Sequence, residues 1–490
     1  MKRVSILLCI LCLILCGCGA QTTDARGGEK EYISIKKGTT LPGSFYTNAT
    51  VDSAADPFIL YADGKYYLYS TGNKSIAVRT SLDLCVFEKS ETPAMTLSDF
   101  PWLVDRSWAP EVYAYNGYYY MIFSAMTNTG SFSINIGRSA SPLGPFRPMN
   151  DAPFFAPPYS VIDASLLFDG GRVYLYYSKD CSENIIGGVH ISQTYGVEVN
   201  ADLSGTVGEP VLLSTPEQPW EKQDSKWQWN EGPVVIAKDG KYYLFYSANY
   251  YQTKYYSVGY AVADAPLGAY VKPQNNCILA GNGVDVTGTG HCNYFYSPDG
   301  TELYMCYHRH TVAPNTDFGR SFCFDRLILE DGKAYVDGPS TTKRPLPGGT
   351  NHYFKHTSDI TVRPEGDAVA DGSTDSLFDG KIEHVKDALL LNSGGILHFE
   401  PAAPQTFYSV WLYTDCAAAG QMPTAYSLVI NDTYEISGKV TSTMVDGAPT
   451  IIFLANLPDG TVISDFALTL TAEDAAAPLT LSEVVFVSKE

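Results

Sequence analysis

The sequence predicts an all-β chain, a five-bladed β-propeller followed by a C-terminal β-sandwich. Three observations predict it. One hairpin pattern occurs five times, Asp-Gly or Asn-Gly turns punctuate it, and the strands after the turns are Tyr-rich and apolar on both faces. The first copy has Asp56 ahead of the turn Asp63-Gly64 and the strand Lys65-Tyr66-Tyr67-Leu68-Tyr69. Glu111 leads Asn116-Gly117 and Tyr118 to Phe123 in the second, and Asp163 leads Asp169-Gly170 and Val173 to Tyr177 in the third. Glu231 leads Asp239-Gly240 and Lys241 to Tyr246 in the fourth, and His291 leads Asp299-Gly300 and Leu303 to Tyr307 in the fifth. A repeat puts equivalent residues at equivalent points in space. The five leading residues are therefore expected to meet at one end of the axis.

A strand apolar on both faces is buried on both sides, as when blades stack around an axis. Ile136 to Phe146 and Val258 to Tyr270 echo each other, each with a Pro-Leu-Gly turn, and read as third and fourth strands of a blade. Strands without intervening helical stretches argue against a βαβ barrel. At 490 residues the chain exceeds one ordinary domain. The propeller is assigned to residues 45–345, and Gly338 to Gly349 reads as a linker. Residues 346–490 lose the Tyr hairpins and read as a β-sandwich accessory domain, carbohydrate-binding or a structural spacer.

The N-terminus carries Lys2 and Arg3, then an apolar run from Val4 to Cys16 that is short for a transmembrane helix. Leu15-Cys16-Gly17-Cys18 resembles a bacterial lipobox. That resemblance implies a signal peptide over residues 1–18, a lipid on the Cys18 thiol, a tether over 19–44, and an extracytoplasmic, cell-surface protein that meets the membrane only through its lipid. Four of the 11 Cys lie in this segment, and the odd, irregular remainder is no disulfide framework. A formal net charge of −20 argues against nucleic acid, whose phosphates need Lys and Arg. Gly281 to Gly290 is Gly-rich but is followed by no Lys-Ser/Thr, so a phosphate loop is not expected. Cys292, Cys306, His308, His310 and Cys323 lack a Cys-x-x-Cys pair, so zinc is not expected either.

The chemistry is expected among the leading carboxylates. Cleaving a glycosidic bond takes one carboxylic acid to protonate the leaving oxygen and one carboxylate on the other face of the sugar. Asp56, in Ala55-Asp56-Pro57, and Glu231, in Asn230-Glu231-Gly232-Pro233, each stand before a strand. Asp163 is a third carboxylate there. One such residue alone would be read as a turn cap. Three in separate blades point to a site.

These residues bring the chain to a resemblance with the glycoside hydrolase family 43 enzymes, five-bladed propellers that act by inversion, mainly on arabinose- and xylose-containing glycans. It covers about Asp56 to Gly338. Asp56-Pro57 resembles the family's general base, Glu231-Gly232-Pro233 its general acid, and Asp163 the residue that tunes and orients the acid. Trp108-Ala109-Pro110 resembles the element whose ring lines the sugar pocket. Gly288-Thr289-Gly290-His291 and Gly319-Arg320 resemble the motifs that bring His291 and Arg320 to the axis. The resemblance implies an inverting glycosidase, with an exo-acting α-L-arabinofuranosidase or β-xylosidase as the leading expectation. An endo-arabinanase or exo-galactanase is the alternative within the fold, and a non-catalytic glycan-binding lipoprotein the alternative of another class. No cofactor is required. A calcium ion held by His291 through water and a merely hydrogen-bonded His291 both stay open. Glu111 is expected to be buried and hydrogen-bonded.

Overall fold

The structure is a computed structural model that describes residues 33–34, 45–274, 276–312, 319–348, 351–354, 360–379, 388–414, 421–445, 448, 450–457 and 461–489. The expected signal segment, Cys18 and all of the expected tether except residues 33–34 lie outside the described residues.

Each copy of the repeat builds one four-stranded sheet, five in all. The first strands are Phe58–Ala62, Leu103–Tyr115, Val161–Asp169, Asn230–Lys238 and Gly290–Tyr296. They pack on one another around the axis. The second strands are Lys65–Tyr69, Tyr118–Thr127, Arg172–Lys179, Lys241–Ala248 and Leu303–His310. Beyond their first residues they are almost wholly buried, as strands wedged between blades must be. The buried tyrosine hydroxyls need partners. Tyr176 donates to the Pro266 carbonyl at 3.0 Å and Tyr307 to the Asp325 carboxyl at 2.8 Å.

The hairpins obey the turn reading at Asp63-Gly64, Asn116-Gly117 and Asp239-Gly240, where both residues have positive φ. Blade three turns one residue later, on Gly170-Gly171. Blade five replaces the tight turn with a longer loop, closed by Ser297 N–H donating to Glu302 C=O. The fourth strand of blade four is Cys277–Leu279, beyond the expected position, although Val271 already bridges Val262.

No blade mixes strands from the two ends of the propeller. The ring is closed instead by the stretch before blade one, laid along Arg320–Glu330 of blade five. Val51 bridges Phe322, and Ala54 N–H donates to Arg320 C=O at 2.9 Å. Asn48 saturates its amide there: Nδ2 donates to Phe324 C=O, Asp325 Oδ2 and Ser340 Oγ, and Oδ1 accepts Phe324 N–H.

The C-terminal part is a sandwich of a six-stranded and a five-stranded sheet around an apolar core that includes Phe399, Phe466 and Phe486. Ile33–Ser34 adds a parallel edge strand to the six-stranded sheet. The stretch read as a linker is no free connector. Ser340, Thr342, Lys343 and Arg344 are buried, and Arg344–Pro345 pairs with Phe45–Tyr46. The Arg344 guanidinium lies 3.6 Å from the centroid of the buried Trp411 ring of the sandwich. Tyr413 donates to Asp337 at 2.6 Å, and Ser409 to Lys343 C=O at 2.6 Å.

Candidate active site

At or near the axial end of each first strand, and midway along the long Leu103–Tyr115, a residue takes a left-handed backbone conformation: Asp56 (φ 52°), Ala109 (45°), Asp163 (57°), Gly232 (58°) and His291 (50°). In blades two to five it sits where the pairing slips by a bulge. Positive φ is costly for residues other than Gly, so the surroundings must hold it. They do so with a cyclic set of bonds. Ala109 N–H donates to Thr71 Oγ1, Asp163 N–H to Ser124 Oγ, Gly232 N–H to Ser178 Oγ, and His291 N–H to Ser247 Oγ. Asp56 N–H closes the circle on His308 Nδ1 at 3.2 Å. Every axial residue thus hangs on the end of the second strand of the preceding blade.

This corrects the expectation that the five leading residues share one position. Asp56, Asp163 and His291 do. Glu231 precedes the left-handed residue of its blade, Gly232, by one position, and Glu111 follows Ala109 by two. A bulge is invisible to a count of residues before a turn. The offset separates two roles. Glu231 faces the same cavity as Asp56 and Asp163. Glu111 is buried at the axis, its carboxyl accepting from the Tyr113 hydroxyl and the Asn293 amide, as expected of it.

The cavity is about 760 Å³, within the usual range for ligand pockets. Asp56, Asp163, Glu231, Trp108, His291 and Arg320 all line it, so the six expected site residues come together. Asp56 is nearly sealed from solvent. Its Oδ1 takes Arg320 Nη1 at 2.6 Å, and its Oδ2 takes the Thr71 hydroxyl. Burial alone would raise its pKa, but the Arg320 charge, His291 and Thr71 outweigh it and hold the carboxyl well below the usual range. His308 Nδ1 lies 3.4 Å from Asp56 Oδ1. It already accepts the Asp56 N–H, and burial drives its pKa far down, so it is a neutral acceptor and forms no ion pair.

Glu231 is the opposite case. Burial, then the Asp163 charge, push its pKa well up, against the single stabilising bond from the Tyr256 hydroxyl at 2.9 Å. Asp163 is itself pushed up to about 6, by burial first and by Asp56, while His291 and the Gly232 N–H pull it down. The pocket thus holds an ionised carboxylate and a protonated carboxylic acid at once.

Trp108 has Phe132 stacked on one face at 4.6 Å, with the Arg106 guanidinium 5.6 Å from its centroid. The glycines of Gly288-Thr289-Gly290 make room. A Cβ on Gly290 would fall 2.2 Å from the Tyr256 ring, and one on Gly288 2.2 Å from the His310 ring. His310 in turn bonds the Tyr251 carbonyl at 2.9 Å. The motif therefore seats the tyrosine that holds Glu231 and the loop that flanks the cavity. His291 offers one nitrogen, 3.5 Å from Asp56 Oδ1, and both Asp56 oxygens are occupied. Calcium takes six to eight oxygens. Among the described residues no three His, Cys, Asp or Glu are grouped to hold a metal. An ion at His291 would therefore be held through water rather than by a shell of side chains.

Sequence reading missed Thr71, Tyr256 and the aromatic wall formed by Trp227, Trp229 and Tyr250. Thr71 ends a repeat strand, the place where Ser124, Ser178 and Ser247 stand in their own copies, and that was a legible signal. Tyr256 had none beyond its Tyr-rich loop.

A propeller pocket that favours the ionised form of one carboxyl and the protonated form of another has the base and the acid that glycosidic hydrolysis needs. The chain belongs to the glycosyl hydrolases family 43, whose family model matches residues 46–334. It is an inverting glycoside hydrolase by that membership. It is similar to the crystal structure of a thermostable family-43 glycoside hydrolase, at 43% identity and a TM-score of 0.59, over 62% of this chain and 99% of that one. A β-D-galactofuranosidase of Aspergillus niger is 29% identical over 56% of this chain and 80% of its own length. An α-L-arabinofuranosidase of Humicola insolens is 27% identical over 64% of this chain and 66% of its own.

Proposed function

We propose that Asp56 is the general base, Glu231 the general acid and Asp163 the residue that keeps Glu231 protonated, in a single displacement that releases a terminal L-arabinofuranosyl or D-xylosyl unit. Asp56 takes a proton from a water, which attacks the anomeric carbon. Glu231 gives its proton to the departing oxygen. Arg320 and Thr71 hold Asp56 charged and oriented, and Trp108, which lines the cavity, packs against the sugar. The observation that carries this reading is the convergence in one cavity of Asp56, paired with Arg320, and the buried Glu231, whose carboxyl is bonded, among the described residues, only to a tyrosine hydroxyl. The two relatives described above bear furanosidase names, which favours a furanoside over a xyloside, while other relatives are named xylosidases. The reading includes a lipid on Cys18 that keeps the enzyme at the cell surface, supported by the lipobox-like sequence.

The test is nitrophenol release by the chain lacking residues 1–18 from arabinofuranoside, xyloside, galactoside and galactofuranoside nitrophenyl substrates, with Asp56→Asn as control. Release from one sugar, abolished in the variant, is expected. Equal release by the variant would refute the assignment of the base.

Asp163→Asn has a separate signature. Removing that charge stabilises the ionised form of Glu231, so its pKa falls and the alkaline limb of kcat/KM moves to lower pH, by about one unit or more. An alkaline limb that stays in place would remove Asp163 from this role.

A further inference from the structure

Glu231 has two tryptophans behind it, at positions 229 and 227. In an extended chain alternate residues share a face, so Trp229 and Trp227 point to the side that Glu231 points to. Gln228 and Asn230 point the other way, and Asn230 is buried, with its side-chain Oδ1 accepting from Lys272 Nζ at 2.8 Å. The rings form a continuous near-parallel series. Trp229 and Tyr250 have centroids 5.3 Å apart at 28°, Trp227 and Trp229 6.3 Å apart at 19°, and His190 lies flat on Trp227 at 3.7 Å and 9°. Trp227, Trp229 and Tyr250 all line the cavity, and Trp227 and Tyr250 are each 37% exposed.

The row is held in place. Trp227–Gln228 pairs in parallel with Val189–Ile191, and His190 N–H donates to Lys226 C=O at 2.8 Å. His190 Nδ1 is anchored at 3.0 Å to the Cys181 carbonyl. An exposed tryptophan backed by an anchored imidazole is a built surface, since solvent alone gives no reason to order it.

The acid fixes the direction of this row. A general acid stands beside the oxygen that leaves, so whatever continues outward from Glu231 lies along the departing part of the substrate. Asp56, Arg320 and Trp108 belong to other blades and surround the sugar that is released.

We infer that Trp229, Trp227 and Tyr250, with His190 behind them, form a track for the leaving-group side of the substrate that takes a run of several sugar rings. The enzyme is thereby built for the ends or branches of oligomeric and polymeric glycans, and small glycosides use only part of its binding surface. This inference rests on the assignment of Glu231 as the acid.

The experiment is kcat/KM for the whole chain and for Trp227→Ala on arabino-oligosaccharides and xylo-oligosaccharides of two to six units. The wild type is expected to rise with chain length. Trp227→Ala is expected to lower the ratio of longest to shortest substrate by about ten-fold, the scale of one well-placed aromatic contact. Because Trp227 is partly exposed, its loss leaves the core intact, and a matching thermal melt checks this. Turnover independent of length in the wild type, or a length dependence that survives in Trp227→Ala, would overturn the track. No turnover of any arabino- or xylo-oligosaccharide by the wild type would overturn the arabinofuranosyl or xylosyl reading and the track with it.

Discussion

Glu231→Gln is expected to lower kcat/KM on an unactivated arabino- or xylo-oligosaccharide by about 10²–10⁴-fold, the range that general acid catalysis supplies. The structure makes the substitution nearly silent for folding. Glu231 is buried with its pKa pushed well up, so an amide of the same shape replaces a group that favours its neutral form, and the amide oxygen still accepts the Tyr256 hydroxyl. The loss should depend on the leaving group. A dinitrophenolate departs without a proton, so the deficit of Glu231→Gln shrinks on dinitrophenyl glycosides. Asp56→Asn should show no such rescue, because activation of water is needed whatever departs. It should also cost stability, since the partly buried Arg320 loses its counter-charge. The measurement is kcat/KM across a series of leaving groups for both variants. A deficit in Glu231→Gln under about ten-fold, or one indifferent to leaving-group acidity, would remove it as the acid.

Trp411→Ala should be among the most destabilising single changes in the molecule, about 3–5 kcal/mol by the usual cost of emptying a buried Trp site. Trp411 is fully buried where the sandwich meets the propeller, in one apolar cluster with Phe45, Tyr413, Val485 and Val487. Its ring also covers Arg344, so truncation leaves a buried guanidinium without its aromatic face. Phe45 heads the stretch that closes the propeller, and its strand pairs with Arg344–Pro345. The sandwich therefore holds together the two ends of a ring that has no blade shared between them. Urea unfolding at constant m-value checks the prediction. A change under about 1 kcal/mol would mean that the two domains are only loosely docked.

Much of the propeller was legible because a hairpin repeat states its structure locally. Asp-Gly and Asn-Gly fix turns through their own backbone preferences, and two-faced Tyr strands announce burial between sheets. Asp56, Asp163, Glu231, Trp108, His291 and Arg320 could be placed because each sits at a fixed step of that repeat or in a short motif. What depends on a neighbouring blade was not legible. The one-residue offset of Glu231 is measured against Gly232 in a bulge, and the hydroxyl that holds the Gly232 N–H, Ser178, lies 54 positions away in the chain. The burial of Gly338 to Pro345 depends on the sandwich that covers it, and locally its Gly and Pro content reads as a linker. Trp227 and Trp229 carry no periodic signal of their own. Their meaning comes from Val189–Ile191 beside them and Glu231 beyond them.

The circle of bonds at the axis has a consequence for how such a site changes. Its five left-handed positions accept Asp, Ala, Asp, Gly and His without altering the backbone bond that holds each one. Scaffold and cargo are thereby separated. The main-chain N–H and a hydroxyl or imidazole from next door form the mount, and the side chain mounted there is free to differ. Chemistry can be rewritten at one mount while the other four keep their aim. A five-fold ring with a single carboxylate acid set one step off the mounts is asymmetric in function while remaining nearly symmetric in construction.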